Sequence, residues 1–356
     1  MINRRITRKG ARGVLAAAAI GLLAPAVSAP LTSPAQAANV DGPSVFWKFS
    51  VWGNPRAFTS GIVHLAERLE EETGGQFKMR VFHGEQISKA KENLDGLKAG
   101  AFEAAAFCNF YHPGKNPALM VMTMPFLPIP DFDTAWDVRM GLYDHPILRD
   151  EMAAWNAMYY VSTNLPQYEF MGVGDPPTKP EDFSGLRVRA GGGVGMAMEK
   201  MGATRQSMPA TEVYTALQRG TIDAESLPYT YAHASYKIHE VADWFTSNMS
   251  PGTSDCPVVI SKSAWDALPS QYQQLLEDLK PEVKEVYKQA YADADARNLP
   301  MFREAMTEVV YDDAQLAAFR EAAGRPIWDQ WVADNQGDFD AQAVLDLVLE
   351  LSGGGS

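Results

Sequence analysis

Six histidines, His64, His83, His112, His145, His233 and His239, are the first residues to test for chemistry. Imidazole serves both proton transfer and metal ligation near neutral pH. They do not gather. No H-E-x-x-H pair occurs, and His233 and His239 are spaced too far apart to share a helix face. No G-x-S-x-G elbow presents a serine nucleophile. Two cysteines, Cys108 and Cys256, exclude a zinc site built from thiolates alone. They could pair in an oxidising compartment, although nothing in the sequence brings them together. What remains is Arg189 followed by Gly191-Gly192-Gly193-Val194-Gly195. This run departs from G-x-G-x-x-G and lacks the Lys-Ser/Thr pair of a phosphate loop, which sets nucleotide binding aside. Its physical offer is milder. Free N–H groups at a helix start attract an anion, and a guanidinium beside them suits a carboxylate. The competing reading of Arg189 is a solvated strand-end arginine paired to a surface acid. The indicated chemistry is capture rather than conversion, with no catalytic residue, metal ligand or cofactor site.

Elements must hold these residues in place. Residues 45–52 read as a buried strand, and 57–73 as a helix whose Phe58, Ile62, Leu65 and Leu69 share one face. Gly74-Gly75 stops that helix. Phe77, Met79 and Val81 then alternate with Lys78, Arg80 and Phe82 in a second strand. A helix near 90–99 ends at Gly100, and 101–108 reads as a third strand. The rhythm returns with a strand at 186–190, helices at 195–201 and 211–219, and a strand at 221–226. It predicts an α/β protein with a mostly parallel sheet covered by helices. Glu92, Leu97 and Gly100 recur as Glu212, Leu217 and Gly220. That is either the common helix–Gly–strand corner or the mark of two lobes of similar build. From Pro269 the chain reads as helical, with Val283, Val286, Tyr287, Ala290 and Ala294 on one face, and Pro300 is expected to kink or end that helix. In such sheets ligands bind beyond the carboxyl ends of the strands. Those ends offer Trp52, Asn54 and Arg56, then Asn109 and Tyr111, and in the second half Arg189, Ser226 and Tyr229. Trp52 and Tyr229 could form aromatic walls around a ligand body.

The first 37 residues carry Arg4, Arg5, Arg8, Lys9 and Arg12 without an acid, then an uncharged Ala-rich run, and close on Ala35-Gln36-Ala37. This is the layout of an export signal cleaved near Ala37. The Arg4-Arg5 pair points to the twin-arginine route, whereas Thr7 and Arg8 stand where that motif prefers apolar residues. The whole chain has 356 residues and a net charge of -13; without the five basic residues of the signal it stands at -18. An acidic exported protein follows, and nucleic acid is not its partner, because phosphate neutralisation needs clustered Lys and Arg.

One stretch is more specific. Asp175-Pro-Pro-Thr-Lys-Pro180-Glu-Asp182-Phe-Ser-Gly185-Leu186-Arg-Val-Arg189 resembles the segment carrying the ligand arginine in the extracytoplasmic solute-binding proteins of TRAP transporters, the DctP family. Glu212-Val-Tyr214-Thr-Ala216-Leu217-Gln218-Arg-Gly220-Thr-Ile-Asp223-Ala resembles that family's most recognisable stretch. Gly84-Glu-Gln86-Ile, Pro113-Gly-Lys-Asn-Pro117, Met124-Pro-Phe-Leu127 and Ala264-Trp265-Asp-Ala-Leu268-Pro269 extend the likeness over roughly residues 45–300. The resemblance implies a two-lobed periplasmic-binding-protein fold, type II-like, with a hinge and a long helix crossing both lobes. Lobe 1 would comprise 38–165, with 255–285 returning to it, and lobe 2 would comprise 166–254. Helices over 286–350 would pack across the lobes, and 351–356 would form a flexible tail. It implies a periplasmic monomer that delivers a small organic carboxylate to the membrane subunits of a sodium-driven importer.

The chain also departs from the family. Ala224 replaces a common glycine, and Leu227 stands where many dicarboxylate and sialic-acid binders have Asn. Glu169 lies twenty positions before Arg189, where some members place a second basic residue. An acid facing the cleft would repel a second carboxylate, which favours a monocarboxylate or zwitterion over a dicarboxylate. The expected ligand residues are therefore Arg189, Glu169, Trp52, Asn54, Asn109, Ser226 and Tyr229. Two other classes stay in view. An exported hydrolase or lyase on a two-domain α/β scaffold would need a nucleophile–base pair or a metal cluster. A binding protein of an ATP-driven importer, or of a sensor kinase, would share the fold.

Overall fold

The computed structural model describes residues 39–353; the expected export segment, residues 1–37, and the last three residues of the tail lie outside the described residues. Among the described residues, eleven strands form two sheets. They are β1 (Val45–Ser50), β2 (Phe77–Phe82), β3 (Ala104–Ala106), β4 (Ala157–Val161), β5 (Tyr168–Gly172), β6 (Arg187–Arg189), β7 (Thr204–Gln206), β8 (Ala224–Pro228), β9 (Trp244–Thr246), β10 (Val258–Ser261) and β11 (Thr307–Val309). One sheet has the order β2-β1-β3-β10-β4 and the other β11-β9-β5-β8-β6-β7. Each sheet is the floor of one lobe. The chain passes from the first to the second over residues 162–167, returns over 247–257, and crosses once more along a helix.

The expectation of mostly parallel sheets needs correction. Pairs β1–β2, β1–β3, β6–β7, β6–β8 and β9–β11 are parallel, but β10 runs antiparallel to β3 and β4, and β5 runs antiparallel to β8 and β9. Strands β5 and β10 each begin directly after a crossing, so they enter their sheets from the other lobe and run against the strands built locally.

Helix α1 (Ala57–Glu72) buries Phe58, Ile62, Leu65 and Leu69, the face expected from their spacing. Helix α2 (Asn93–Lys98) precedes Gly100, and the later helix Ala210–Gln218 precedes Gly220. Both glycines take left-handed backbone, φ 69° and 63°, before turning into β3 and β8 respectively. The recurring Glu-Leu-Gly stretches are thus equivalent corners, one in each lobe. Helices α3 (Phe132–Asp144) and α4 (Pro146–Ala153) pack behind the first sheet. The second lobe adds α5 (Gly192–Lys200), α6 (Ala210–Gln218) and α7 (Tyr231–Ser235).

After the short α8 (Lys262–Asp266), α9 runs unbroken over Ser270–Ala305. At 1.5 Å per residue its 36 residues span about 54 Å. Its buried stripe begins with Tyr272, Leu276 and Leu279, where Tyr160 of β4 donates to the Leu276 carbonyl. The stripe ends with Asn298 and Phe302, whose ring lies 5.8 Å from Phe245 of β9. One helix therefore packs on both lobes. Pro300 was expected to kink or end it and does neither. Pro300 and Ala296, four residues before it, are both exposed, so the carbonyl that loses its helix partner faces water. The chain is not wholly helical beyond this point: β11 follows α9 and pairs with β9 before α10 (Asp313–Ala323), α11 (Arg325–Asn335) and α12 (Ala341–Leu351).

Cys108, just after β3, and Cys256, just before β10, are joined by a disulfide. The flanking residues bond across the strands, Phe107 N–H to the Pro257 carbonyl and Asn109 N–H to the Asp255 carbonyl, each at 3.0 Å. The antiparallel entry of β10 is what brings together two cysteines 148 residues apart.

Candidate functional site

The ends of the strands meet around a cavity of about 30 Å³. From the first lobe come Trp52, Arg56, Phe58, Phe110 and Tyr111; from the second, Arg189, Leu227, Tyr231 and Tyr236; Tyr168 and Leu165 close it at the crossing. The Cys108–Cys256 disulfide forms part of the wall. The rings lock one another: Trp52 sits 5.5 Å from Tyr111 edge-on, and Phe110 lies 4.5 Å from Tyr111. The cavity is small, and the structure shows the two lobes pressed together. Contacts cross the cleft. The Ala210 N–H donates to the Tyr111 hydroxyl at 3.0 Å, and the Arg189 guanidinium lies 5.5 Å from the Phe110 ring centre.

Arg189, the last residue of β6, is 1% exposed. Its Nη1 donates to the Ser226 carbonyl at 2.7 Å, while Nε and Nη2 donate to the Met208 carbonyl at 3.2 and 3.1 Å. Five N–H groups less these three leaves one on each terminal nitrogen. Among the described residues no carboxylate lies within ion-pair distance of it. Its cross-strand neighbour Glu225 instead meets His233 Nε2 at 3.1 Å, both side chains fully buried. A second buried arginine shows the contrast. Arg139 of α3 pairs through Nε with Asp255 at 3.3 Å and bonds Asn164 and the Leu165 carbonyl. Arg139 is a neutralised part of the framework; Arg189 is held in place by carbonyls and keeps its charge uncompensated.

The glycine run after Arg189 does a different task from the one expected. Gly193 N–H donates to Thr123 Oγ1 at 2.8 Å, so the start of α5 is already occupied. A Cβ on Gly191 would lie 2.4 Å from the Phe110 ring, and one on Gly192, φ +52°, would lie 2.4 Å from Thr123 Oγ1. These glycines permit close approach between the lobes.

Of the residues expected at the site, Trp52 and Arg189 line the cavity. Asn54 is exposed in an outer cleft of about 500 Å³, and only its carbonyl is engaged, by Arg56. Asn109 is fully buried behind the wall, where its side chain bonds the Leu119 carbonyl and Phe110 N–H and so shapes the turn that presents Phe110 and Tyr111. Ser226 contributes its carbonyl to Arg189 rather than its hydroxyl to the cavity. Tyr229 is half-buried and outside the cavity; Tyr231 and Tyr236, from the same tyrosine-rich run, take the place expected for it. Phe58, Phe110, Tyr168, Tyr231 and Tyr236 were missed. Phe110, Tyr168 and Tyr231 carry one sequence signal, an aromatic residue within a few positions of a strand end, whereas Phe58 and Tyr236 lie eight residues beyond one.

Glu169 requires a correction. It follows Tyr168 in β5 and projects to the other face of the strand. Its carboxylate accepts the Ser250 N–H at 2.8 Å, the Met249 N–H at 3.2 Å and the hydroxyls of Thr246 and Ser250. It is 2% exposed and does not line the cavity. Glu169 therefore anchors the returning crossing to β5, and, facing away from the cleft, it does not repel a second ligand carboxylate there as expected. Burial, outweighing those donors, pushes its pKa up to about 7 from the ordinary 4.5. The raised value means that the folded state holds the proton more tightly than the unfolded chain. The associated stability is full below pH 4.5, declines as pH rises towards 7 and is flat above. Glu169→Gln should flatten this decline, worth on the order of 1–3 kcal/mol, as read by urea unfolding of both proteins across that range. An identical pH profile in the variant would refute the assignment.

Two sheets joined by crossings, with an uncompensated arginine and aromatic walls between them, define a two-lobed solute-binding protein. The family model for bacterial extracellular solute-binding protein, family 7 (DctP), matches residues 50–335, and the chain belongs to that family. It is 24% identical, over 95% of its own length and 97% of the relative's, to a monocarboxylate 2-oxoacid-binding periplasmic protein of Nostoc sp.. It is 25% identical, over 76% of its length and 81% of the relative's, to the C4-dicarboxylate-binding periplasmic protein DctP of Rhodobacter capsulatus. Its fold matches a TRAP solute-binding protein from Rhodoferax ferrireducens in complex with copurified benzoate, with a TM-score of 0.77 at 19% identity, covering 87% of this chain and 98% of that one. The family binds substrates rather than converting them.

Proposed function

We propose that this protein captures a small organic monocarboxylate in the periplasm and presents it to the membrane subunits of a TRAP-type transporter. The observation that carries the reading is Arg189, a fully buried cation with two spare N–H groups and no carboxylate partner among the described residues. A buried unpaired charge is costly unless an opposite charge joins it. One such cation calls for one anion. A second buried carboxylate on the ligand would have no equally buried partner, and this charge balance, not Glu169, favours one carboxylate. The aromatic walls would hold the apolar body. The relatives from Nostoc and Rhodoferax are described with acids bearing one carboxylate, and the R. capsulatus relative with dicarboxylates.

A thermal-shift screen of carboxylates, amino acids and betaines, followed by calorimetry on matched pairs, tests the reading. The monocarboxylate of each pair should bind at least about tenfold more tightly, or about 1.4 kcal/mol. Tighter dicarboxylate binding would remove the charge-balance argument, and no response to any carboxylate would remove the whole reading.

Lobe closure makes a separate prediction. Gly191→Ala places a methyl against the Phe110 ring across the cleft. Overpacking of this kind costs about 1–3 kcal/mol, so ligand affinity should fall roughly fivefold or more. Ligand-induced compaction in small-angle scattering should shrink with it. Wild-type affinity in Gly191→Ala would show that the cleft does not close on these atoms.

A further inference from the structure

Arg56 and Tyr236 face each other across the cleft from opposite lobes, and both line the inner cavity and the outer cleft. They form the partition between the two spaces. Arg56, at the start of α1, spends Nη1 on the carbonyls of Trp52 and Asn54 at 2.8 and 2.9 Å. Its guanidinium lies 4.7 Å from the Phe58 ring centre and 5.5 Å from that of Tyr236. Its Nε and the Tyr236 hydroxyl are both shielded from solvent and have no hydrogen-bond partner. Among the described residues no carboxylate pairs with Arg56. Its Nε edge is the side-on face by which a guanidinium grips an oxygen acceptor, and a buried donor without an acceptor costs free energy that a ligand atom could recover.

We infer that Arg56 and Tyr236 form a second polar subsite, which reads an uncharged acceptor oxygen, a hydroxyl or keto group, on the end of the ligand remote from the carboxylate at Arg189. The inference rests on the proposed carboxylate site and narrows its substrate class to hydroxy- or oxo-monocarboxylates. An uncharged acceptor suits this place. Arg56 is only half-buried and borders the outer cleft, so its charge demands less of a ligand than that of Arg189. What remains unmet is hydrogen bonding.

The test compares benzoate with its meta- and para-hydroxy derivatives, and hexanoate with its terminal hydroxy derivative, by calorimetry on the full mature chain. The wild-type protein should prefer the hydroxylated acid by about tenfold or more in at least one pair. Tyr236→Phe, which removes only the hydroxyl, and Arg56→Lys, which keeps the charge but loses the side-on edge, should each reduce that preference to about threefold or less. Affinity for the unsubstituted acid should fall less than that for its hydroxylated partner. Equal wild-type binding within all three pairs overturns the subsite, as does a preference that survives both variants. Equal loss of both members of a pair, at unchanged melting temperature, would make the two residues general walls and also overturn it. If none of these acids binds the wild-type protein, the carboxylate reading itself falls and the subsite with it.

Discussion

Arg189→Ala is expected to weaken ligand binding by roughly 100-fold or more, the range found when one partner of a buried, hydrogen-bonded charge pair is removed. Arg189→Lys should lose about tenfold, because an ammonium cannot reproduce two parallel N–H bonds. The stability readout is what makes the prediction sharp. Without ligand, Arg189 is a buried cation held only by the Ser226 and Met208 carbonyls. Replacing it with a neutral chain of similar bulk, Arg189→Met, should leave the unfolding free energy unchanged or raise it by about 1 kcal/mol. Binding sites commonly trade stability for function in this way. Calorimetry and urea unfolding of the same three variants would decide it. Unchanged affinity in Arg189→Ala would remove the residue from the site, and a loss of several kcal/mol in Arg189→Met would reassign it to the framework.

The opposite sign is expected at the other buried arginine. Arg139 and Asp255 are 1% and 0% exposed at the side chain. Asp255 also accepts from the Tyr143 hydroxyl and from Ser162 Oγ, the latter at 3.1 Å. Arg139 bonds Asn164 and Leu165. The cluster thus ties α3 to both crossings, where 162–167 and 247–257 run side by side. Asp255→Ala would strand the Arg139 charge in the interior and should cost about 3–5 kcal/mol. The double change Arg139→Met with Asp255→Leu should cost less than the single one, because no charge is left alone. Chemical unfolding of the three proteins tests this. A single variant as stable as wild type, or a double variant no better than the single, would show that the pair does not bear on stability as argued. The same physics separates the two arginines: one has its carboxylate in the chain, and the other, on the proposed reading, receives one from a ligand.

Much of the fold was legible locally. The spacing of Phe58, Ile62, Leu65 and Leu69, the alternation through Phe77–Phe82, and the corners at Gly100 and Gly220 each specify an element through contacts a few residues apart. The stretch ending in Arg189 placed that residue at a strand end, and Trp52 likewise, because a strand terminus is a local event. Local pattern could not place residues whose role depends on which neighbour reaches them first. Glu169 and Tyr168 are adjacent in sequence, yet a period of two sends one into the turn at Ser250 and the other to the cavity. Asn109 and Ser226 were recognised as strand-end residues, but packing turned their side chains away from the cavity. Pro300 lies within α9 with its orphaned carbonyl facing water, an exposure that the packing of the helix decides and the local sequence does not. The disulfide, the antiparallel β10 and the pairing of Arg139 arise from segments about a hundred residues apart or more, and the antiparallel β5 from segments more than fifty apart. Only the folded chain brings those charges and sulfurs within a few ångströms, and at that range burial and pairing decide their chemistry.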